Sequence, residues 1–231
     1  MIINKYTIAI SALMISTAAN AGFYVGPQIG GSFNTGSYKS FDVNNQINIH
    51  SAKGGAGAAF FGGLNFGYGH VTDSSIYLGI DGALLAHSLN NEVRRSSDIL
   101  GNAQPVARLK NNFLYNVAFQ IGYQMHSKVV PFISLGISGG EYKLSIANRS
   151  GVSSRGLLPG VKKTIEKNVN GFTPGLGVKF NICEKLTASI KYDFMFGAKL
   201  SKNFTDSVPN TWAYTQRVRQ HGVSLAVVYN I

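Results

Sequence analysis

The sequence has one cysteine, one tryptophan and little acid in its 231 residues. A lone Cys183 cannot close a disulfide within the chain, which excludes a disulfide scaffold. Charged residues make up 13%, well below the roughly one quarter usual in globular proteins. Asp and Glu number only 10, against 21 Lys and Arg. Long hydrophobic runs are missing as well. Beyond the N-terminus no window of about 18 apolar residues occurs, so no transmembrane helix is expected. Mean hydropathy is +0.06, far from a helical membrane bundle. Disorder is excluded by an 11% aromatic content. The place of the missing charge is taken by 27 Gly together with Ser, Asn and Thr.

The N-terminus has its own pattern. Lys5 precedes an apolar stretch from Tyr6 to Ala18, followed by Ala19-Asn20-Ala21. That is the layout of a secretory signal peptide over residues 1–21, with cleavage expected before Gly22. The apolar stretch is too short to span a bilayer, which takes about 20 residues.

Beyond it the recurring signal is alternation with a period of two, the mark of strands with one apolar face. Phe113, Tyr115, Val117, Phe119, Ile121 and Tyr123 alternate with Leu114, Asn116, Ala118, Gln120 and Gly122. Phe172 to Ile182, Leu186 to Phe196 and Val223 to Ile231 repeat the pattern. Weaker versions begin at Phe23, Phe60, Ile76 and Pro131. Long polar connections, near 34–56, 88–112, 143–170 and 197–212, alternate with short turns at 69–75, 126–130 and 181–185. Eight antiparallel strands with that rhythm predict an all-β, up-and-down transmembrane β-barrel over residues 22–231. The face opposite the apolar one is dense in small residues, among them Gly26, Gly63, Gly122, Gly136 and Gly175. A solvated face would carry Lys and Glu, whereas small residues suit a narrow lumen, so the apolar face is expected to meet lipid. A secreted soluble barrel with its apolar face inside is the alternative. Phe23, Tyr68, Tyr123, Tyr192 and Tyr229 are candidates for an interfacial aromatic girdle.

Several segments carry a resemblance. They are Gly22-Phe23-Tyr24-Val25-Gly26, Val130-Pro131-Phe132-Ile133-Ser134-Leu135-Gly136, Pro174-Gly175-Leu176-Gly177-Val178-Lys179-Phe180 and Ile190-Lys191-Tyr192-Asp193. His221 to Tyr229 closes the set. Together they resemble the small outer-membrane β-barrel proteins of Gram-negative bacteria, the group of the OmpA and OmpX transmembrane domains and the opacity-type surface proteins. The resemblance implies residence in the bacterial outer membrane and handling by the barrel-assembly machinery. Such proteins usually end in an aromatic residue; this chain ends Tyr229-Asn230-Ile231, keeping the apolar parity but not the aromatic.

Chemistry is sparse. His50, His70, His87, His126 and His221 form no metal-ligand spacing, and neither metal nor cofactor is expected. His87-Ser88 sends its two side chains to opposite faces of a strand, and Asp206-Ser207 has no His partner visible in sequence. No catalytic residue is assigned. Asp81, Lys179, Lys191 and Asp193 share the inward parity and are expected to form an ion-pair plug, because unpaired buried charge is expensive. The alternative is the lining of a narrow pore.

The remaining basic charge falls on the long connections. Arg94, Arg95, Arg108, Lys110, Arg149, Arg155, Lys162, Lys163 and Lys167 lie there, and Arg217 and Arg219 in the stretch 197–219 that includes the last of them. Their partner should be anionic: lipopolysaccharide phosphates or host surface glycans. Nucleic acid is excluded by the compartment that the signal peptide implies. The expected function is a non-enzymatic surface protein serving envelope integrity and surface interaction. A small diffusion channel is the runner-up, and an enzyme modifying lipid A at the rim comes third.

Overall fold

The computed structural model describes residues 21–42, 47–53, 57–93, 106–126, 128–147, 162–205 and 211–231. Its strands are β1 (Ala21–Asp42), β2 (Ile47–Lys53), β3 (Gly57–Val71), β4 (Ile76–Val93) and β5 (Val106–Tyr123), followed by β6 (Val129–Ala147), β7 (Lys162–Cys183), β8 (Leu186–Thr205) and β9 (Thr211–Asn230). Every neighbouring pair is antiparallel, and β9 returns to pair with β1. β2 and β3 lie on the same edge of β1. The register runs from Asp42↔Ile47 to Ser37↔Lys53, then resumes at Asn34↔Gly57. β2 is thus the upper continuation of β3, and the barrel is closed and eight-stranded. β7 and β8 are paired from Cys183↔Leu186 up to Gly175↔Asp193, so the edges are joined toward the short turns, where lipid could not hydrate an open one.

The outer wall is apolar. Phe23, Ile29, Phe60, Leu64, Phe119, Ile133, Leu176 and Leu225 are all exposed, while Asn65, Asn116, Gln120, Ser134 and Ser224 are buried inside. Exposing a large apolar side chain to water costs about 1.5–3 kcal/mol, so a wall built from them belongs in hydrocarbon. A soluble barrel would have the two faces reversed.

The strands have 15 to 22 residues, apart from β2. A tilted strand needs only about 9–11 to cross a bilayer. The connections expected at 34–56, 88–112, 143–170 and 197–212 are therefore corrected, because much of each is strand. The reason is a change of sign in the alternation. On β6 the outward residues are Ile133, Leu135 and Ile137, then the exposed Glu141 and Lys143. Its inward residues are Ser134, Gly136 and Ser138, then the buried Tyr142, Leu144 and Ile146. Above the lipid zone the wall turns polar and the lumen apolar, so a search for outward hydrophobes loses the strand there. β-bulges conceal it further. Irregular register between Asn111 and Leu114 on β5, and between Met195 and Ala198 on β8, shifts the parity by one residue.

The lumen consequently has two layers. A polar layer near the short turns holds the charges. Above it Leu89, Leu109, Tyr142, Leu144, Leu200 and Val218 belong to one buried apolar cluster.

Candidate functional site

The polar layer is built from inward positions of β1, β4, β7 and β8. Lys191 Nζ lies 3.4 Å from Asp81 Oδ2 and 3.2 Å from Asp193 Oδ2. It also reaches Asn116 Oδ1 at 3.5 Å. The other oxygen of Asp81 accepts from Tyr24 Oη at 2.8 Å and from Asn65 Nδ2 at 3.0 Å. Gly67 and Gly175 make room, since a Cβ at Gly67 would strike the Tyr24 phenol and one at Gly175 the Asp193 carboxylate.

The structure thus brings three of the four expected charges together and sets the fourth apart. Lys179 is paired with no carboxylate among the described residues. Its ammonium donates to Tyr77 Oη and, at 3.4 Å, to Tyr24 Oη. It lies 4.6 Å, 4.5 Å and 5.6 Å from the ring centroids of Tyr24, Tyr77 and Phe132. Three ring faces and two phenol oxygens replace a counter-ion, an arrangement that stabilises a desolvated ammonium through the ring quadrupoles. Tyr77 passes the chain on to Gln120 Oε1 at 3.2 Å. Sequence reasoning missed Tyr77 and the role of Tyr24. The available signal was bulk: each is a large aromatic at an inward position in the company of Gly22, Gly26 and Gly79.

Two small cavities border this network. One of about 20 Å³ is lined by Tyr24, Asp81, Lys179 and Lys191; another of about 50 Å³ lies by Gln28, Phe61, Leu114, Lys191 and Asp193. A water needs about 10–15 Å³, so these spaces suit a few waters. Gln28 Oε1 and Asp193 Oδ1 are buried without a protein partner, as acceptors of such waters would be.

One rung higher, Ser32, His87 and Asn111 form a chain from β1 across the lumen to β4 and β5. Ser32 Oγ lies 2.9 Å from His87 Nε2, and His87 Nδ1 lies 2.7 Å from Asn111 Oδ1. Asn111 Nδ2 donates to the carbonyls of Phe113 and Glu141, which turns its oxygen toward the ring. Nδ1 therefore carries the proton and Nε2 accepts from Ser32. That is the order of donors in a nucleophile–base–orienter triad. Its surroundings differ from those of a hydrolase. Ser32 is 1% exposed, and none of the three residues lines either cavity. The sequence places His87 and its neighbour Ser88 on opposite faces of the strand, and the Ser88 hydroxyl indeed points outward to the Phe60 backbone.

The outer wall carries the aromatics and the cations. Phe23, Tyr123 and Tyr229 are exposed at the short-turn end, and the rings of Phe23 and Tyr68 are 5.1 Å apart. Tyr192 belongs higher up, where its hydroxyl lies 2.7 Å from His221 Nδ1, and Phe194 meets Phe196 edge-on and His221 at a tilt. Lys110 and Arg108 are half-buried on the upper part of β5 and Lys162 is exposed on that of β7, where Lys163 and Lys167 share the parity of the buried Ile165 and Val169. Arg217 and Arg219 are exposed on β9. Arg94, Arg95, Arg149 and Arg155 lie outside the described residues. Cys183 is a free, exposed thiol at the end of β7. No group of metal-ligating side chains occurs among the described residues.

No curated protein matches the chain. Solved structures do. Ail of Yersinia pestis, in complex with the heparin analogue sucrose octasulfate, is 12% identical, with 89% of this chain and 99% of that chain covered and a TM-score of 0.41. OprG of Pseudomonas aeruginosa is 15% identical, with 92% and 97% covered and a TM-score of 0.48. The outer membrane protease OmpT of Escherichia coli is 10% identical, with 93% and 98% covered and a TM-score of 0.44. The outer membrane protein beta-barrel domain matches residues 7–230 of the sequence. The chain, an apolar-walled barrel of eight strands, belongs to that family of outer-membrane proteins.

Proposed function

We propose that this protein is a non-enzymatic surface barrel of the bacterial outer membrane. It contributes to envelope integrity and meets anionic partners, lipopolysaccharide first and host surface glycans second, through its long-strand end. On this reading the mature chain begins at Gly22 and the long-strand end faces outward, as short turns are periplasmic in this architecture. Outer-membrane lipids and the barrel-assembly machinery are its partners in the envelope.

The observation that carries the reading is the filling of the lumen. A neutralised charge layer and an apolar cluster lie one above the other, with cavities of about 20 and 50 Å³ between side chains. With the interior closed, the outer wall and the upper rim are left to act. The Ser32–His87–Asn111 chain lacks an acyl-sized space beside the hydroxyl, which favours a structural role.

Two measurements test this. Planar-bilayer recordings on the refolded chain should show no stable single-channel current; a reproducible ohmic step would promote the diffusion-channel reading. Cells lacking the protein should become more permeable to a hydrophobic dye, and a variant with its upper cations neutralised should fail to restore the barrier. Full rescue by that variant would remove the anionic partner from the function.

A further inference from the structure

The outward face of β8, β9 and β1 has a definite order of side chains. His221 is in register with Phe194 on β8 and Phe33 on β1. Next above, Arg219 faces Thr35 on β1, with Phe196 beside it at the β8 bulge. One rung higher, Arg217 is directly opposite Lys199 on β8 and Ser37 on β1. Below His221 the wall continues without a polar break into Val223, Leu225, Ile190 and Ile29, all exposed.

Lys199 opposite Arg217 is a like-charged cross-strand pair. Such pairs are destabilising, and Arg219 on the same face adds a third cation. All three are exposed, and none has a carboxylate partner among the described residues. The neighbouring β6–β7 pair treats the same problem differently: Lys143 is in register with Glu166 and bonded to it. A protein that neutralises a lysine on one strand pair and leaves three cations together on another has left a place for an external anion.

We propose that Lys199, Arg217 and Arg219 bind a lipid-borne phosphate, that of an outer-leaflet glycolipid whose acyl chains lie along the wall beneath. This rests on the proposed outward orientation and deepens the lipopolysaccharide reading by giving it a site. Height selects a lipid over a soluble polyanion. Arg219 is four residues above the lipid-facing Val223, about 13 Å along a strand at 3.3 Å per residue, and less along the membrane normal because barrel strands tilt. That is headgroup depth. The exposed rings of Phe33 and Phe196 fill the interval between cation and hydrocarbon. Two guanidinium forks and one ammonium suit a phosphate, which accepts bidentate bonds from Arg.

The test is native mass spectrometry of the full refolded chain released from detergent, with bis-phosphorylated lipid A as the probe. Dephosphorylated lipid A and a soluble heparin fragment serve as comparison ligands. Wild type should retain one lipid A, and the triple variant Lys199→Gln, Arg217→Gln, Arg219→Gln should bind it at least tenfold more weakly. Dephosphorylated lipid A should not be retained, and heparin should not displace the phosphorylated form. The three substitutions point outward, so heat-modifiable migration should show the variant folded. Equal retention by the triple variant overturns the site. Loss instead in Lys162→Gln, Lys163→Gln, Lys167→Gln moves the phosphate to the upper end of β7, overturning this proposal while the anionic-partner reading survives. Heparin retention that depends on the β8–β9 cations, without lipid A retention, replaces the lipid by a soluble polyanion. Retention of neither ligand by any form sinks both proposal and reading.

Discussion

Lys179 lies over the ring of Tyr24, 4.6 Å from its centroid, and is linked to Asp81 through the Tyr24 hydroxyl. The phenol accepts from the ammonium and donates to the carboxylate, so one side chain serves a buried cation and a buried anion together. Tyr24→Phe keeps the ring face and removes both bonds. It should lower unfolding free energy by about 1.5–3 kcal/mol, the range for hydrogen bonds to charged groups. Tyr24→Leu should cost more, because the cation–π contact goes as well. Urea titrations in lipid vesicles would measure both. A silent Tyr24→Phe would mean that Lys179 is balanced by some other group.

Lys191 is shared by two acids, and this sets an order of damage. Lys191→Met strands Asp81 and Asp193 together, whereas Asp193→Asn leaves Lys191 paired with Asp81. Removing one partner of a buried pair costs about 3–5 kcal/mol. Lys191→Met should fall in that range and Asp193→Asn well below it. The charge-balanced double variant Lys191→Met, Asp193→Asn should recover part of the loss. Small, additive effects accompanied by altered ion conductance would instead describe a water-filled pore.

The wall and the lumen should respond oppositely to small changes. Phe119→Arg or Leu225→Arg puts a charge on the apolar wall and should cost about 2–4 kcal/mol near mid-bilayer. Ser134 faces inward with its hydroxyl buried and unpartnered. Ser134→Ala should be neutral or slightly stabilising, since an unsatisfied buried hydroxyl carries a desolvation penalty. Refolding yields and urea midpoints compare the three. Destabilisation by Ser134→Ala would show that a bound water satisfies that hydroxyl.

Ser32 has a base and an orienter but no room. A fluorophosphonate probe should leave the folded protein unlabelled. His87→Ala should destabilise it, since Ser32 and Asn111 each lose a buried partner, at about 1–3 kcal/mol per unsatisfied group. Probe labelling that disappears in Ser32→Ala would make the barrel a serine hydrolase.

Surface chemistry on intact cells reads the orientation. An impermeant amine reagent should modify Lys143 and Lys199 and spare Lys128 and Lys185, which lie at the short turns. The reverse pattern would invert the barrel, and with it the site on β8 and β9.

The sequence by itself determined the lipid zone. A period of two with Phe, Leu and Ile on one parity and Gly, Ser and Asn on the other allows few folds. Short turns between such segments make the neighbours antiparallel, and small inward residues such as Gly136 and Ser134 say which parity is inside. Asp81, Lys179, Lys191 and Asp193 were legible as an inward set for the same reason. Their partners were not, because partnership across a lumen depends on register and shear, which no local pattern encodes. Only the closed barrel sets Lys191 between two acids, gives Lys179 three aromatic rings, and brings Ser32 to His87 from 55 residues away. The upper strands escaped for a related reason. Above the membrane the outside is water, so Leu144, Ile165 and Leu200 turn inward and the bulges on β5 and β8 break the count. The like-charged rung of Lys199 and Arg217 needed the same thing: two residues distant in sequence become opposite neighbours only once β8 and β9 are paired.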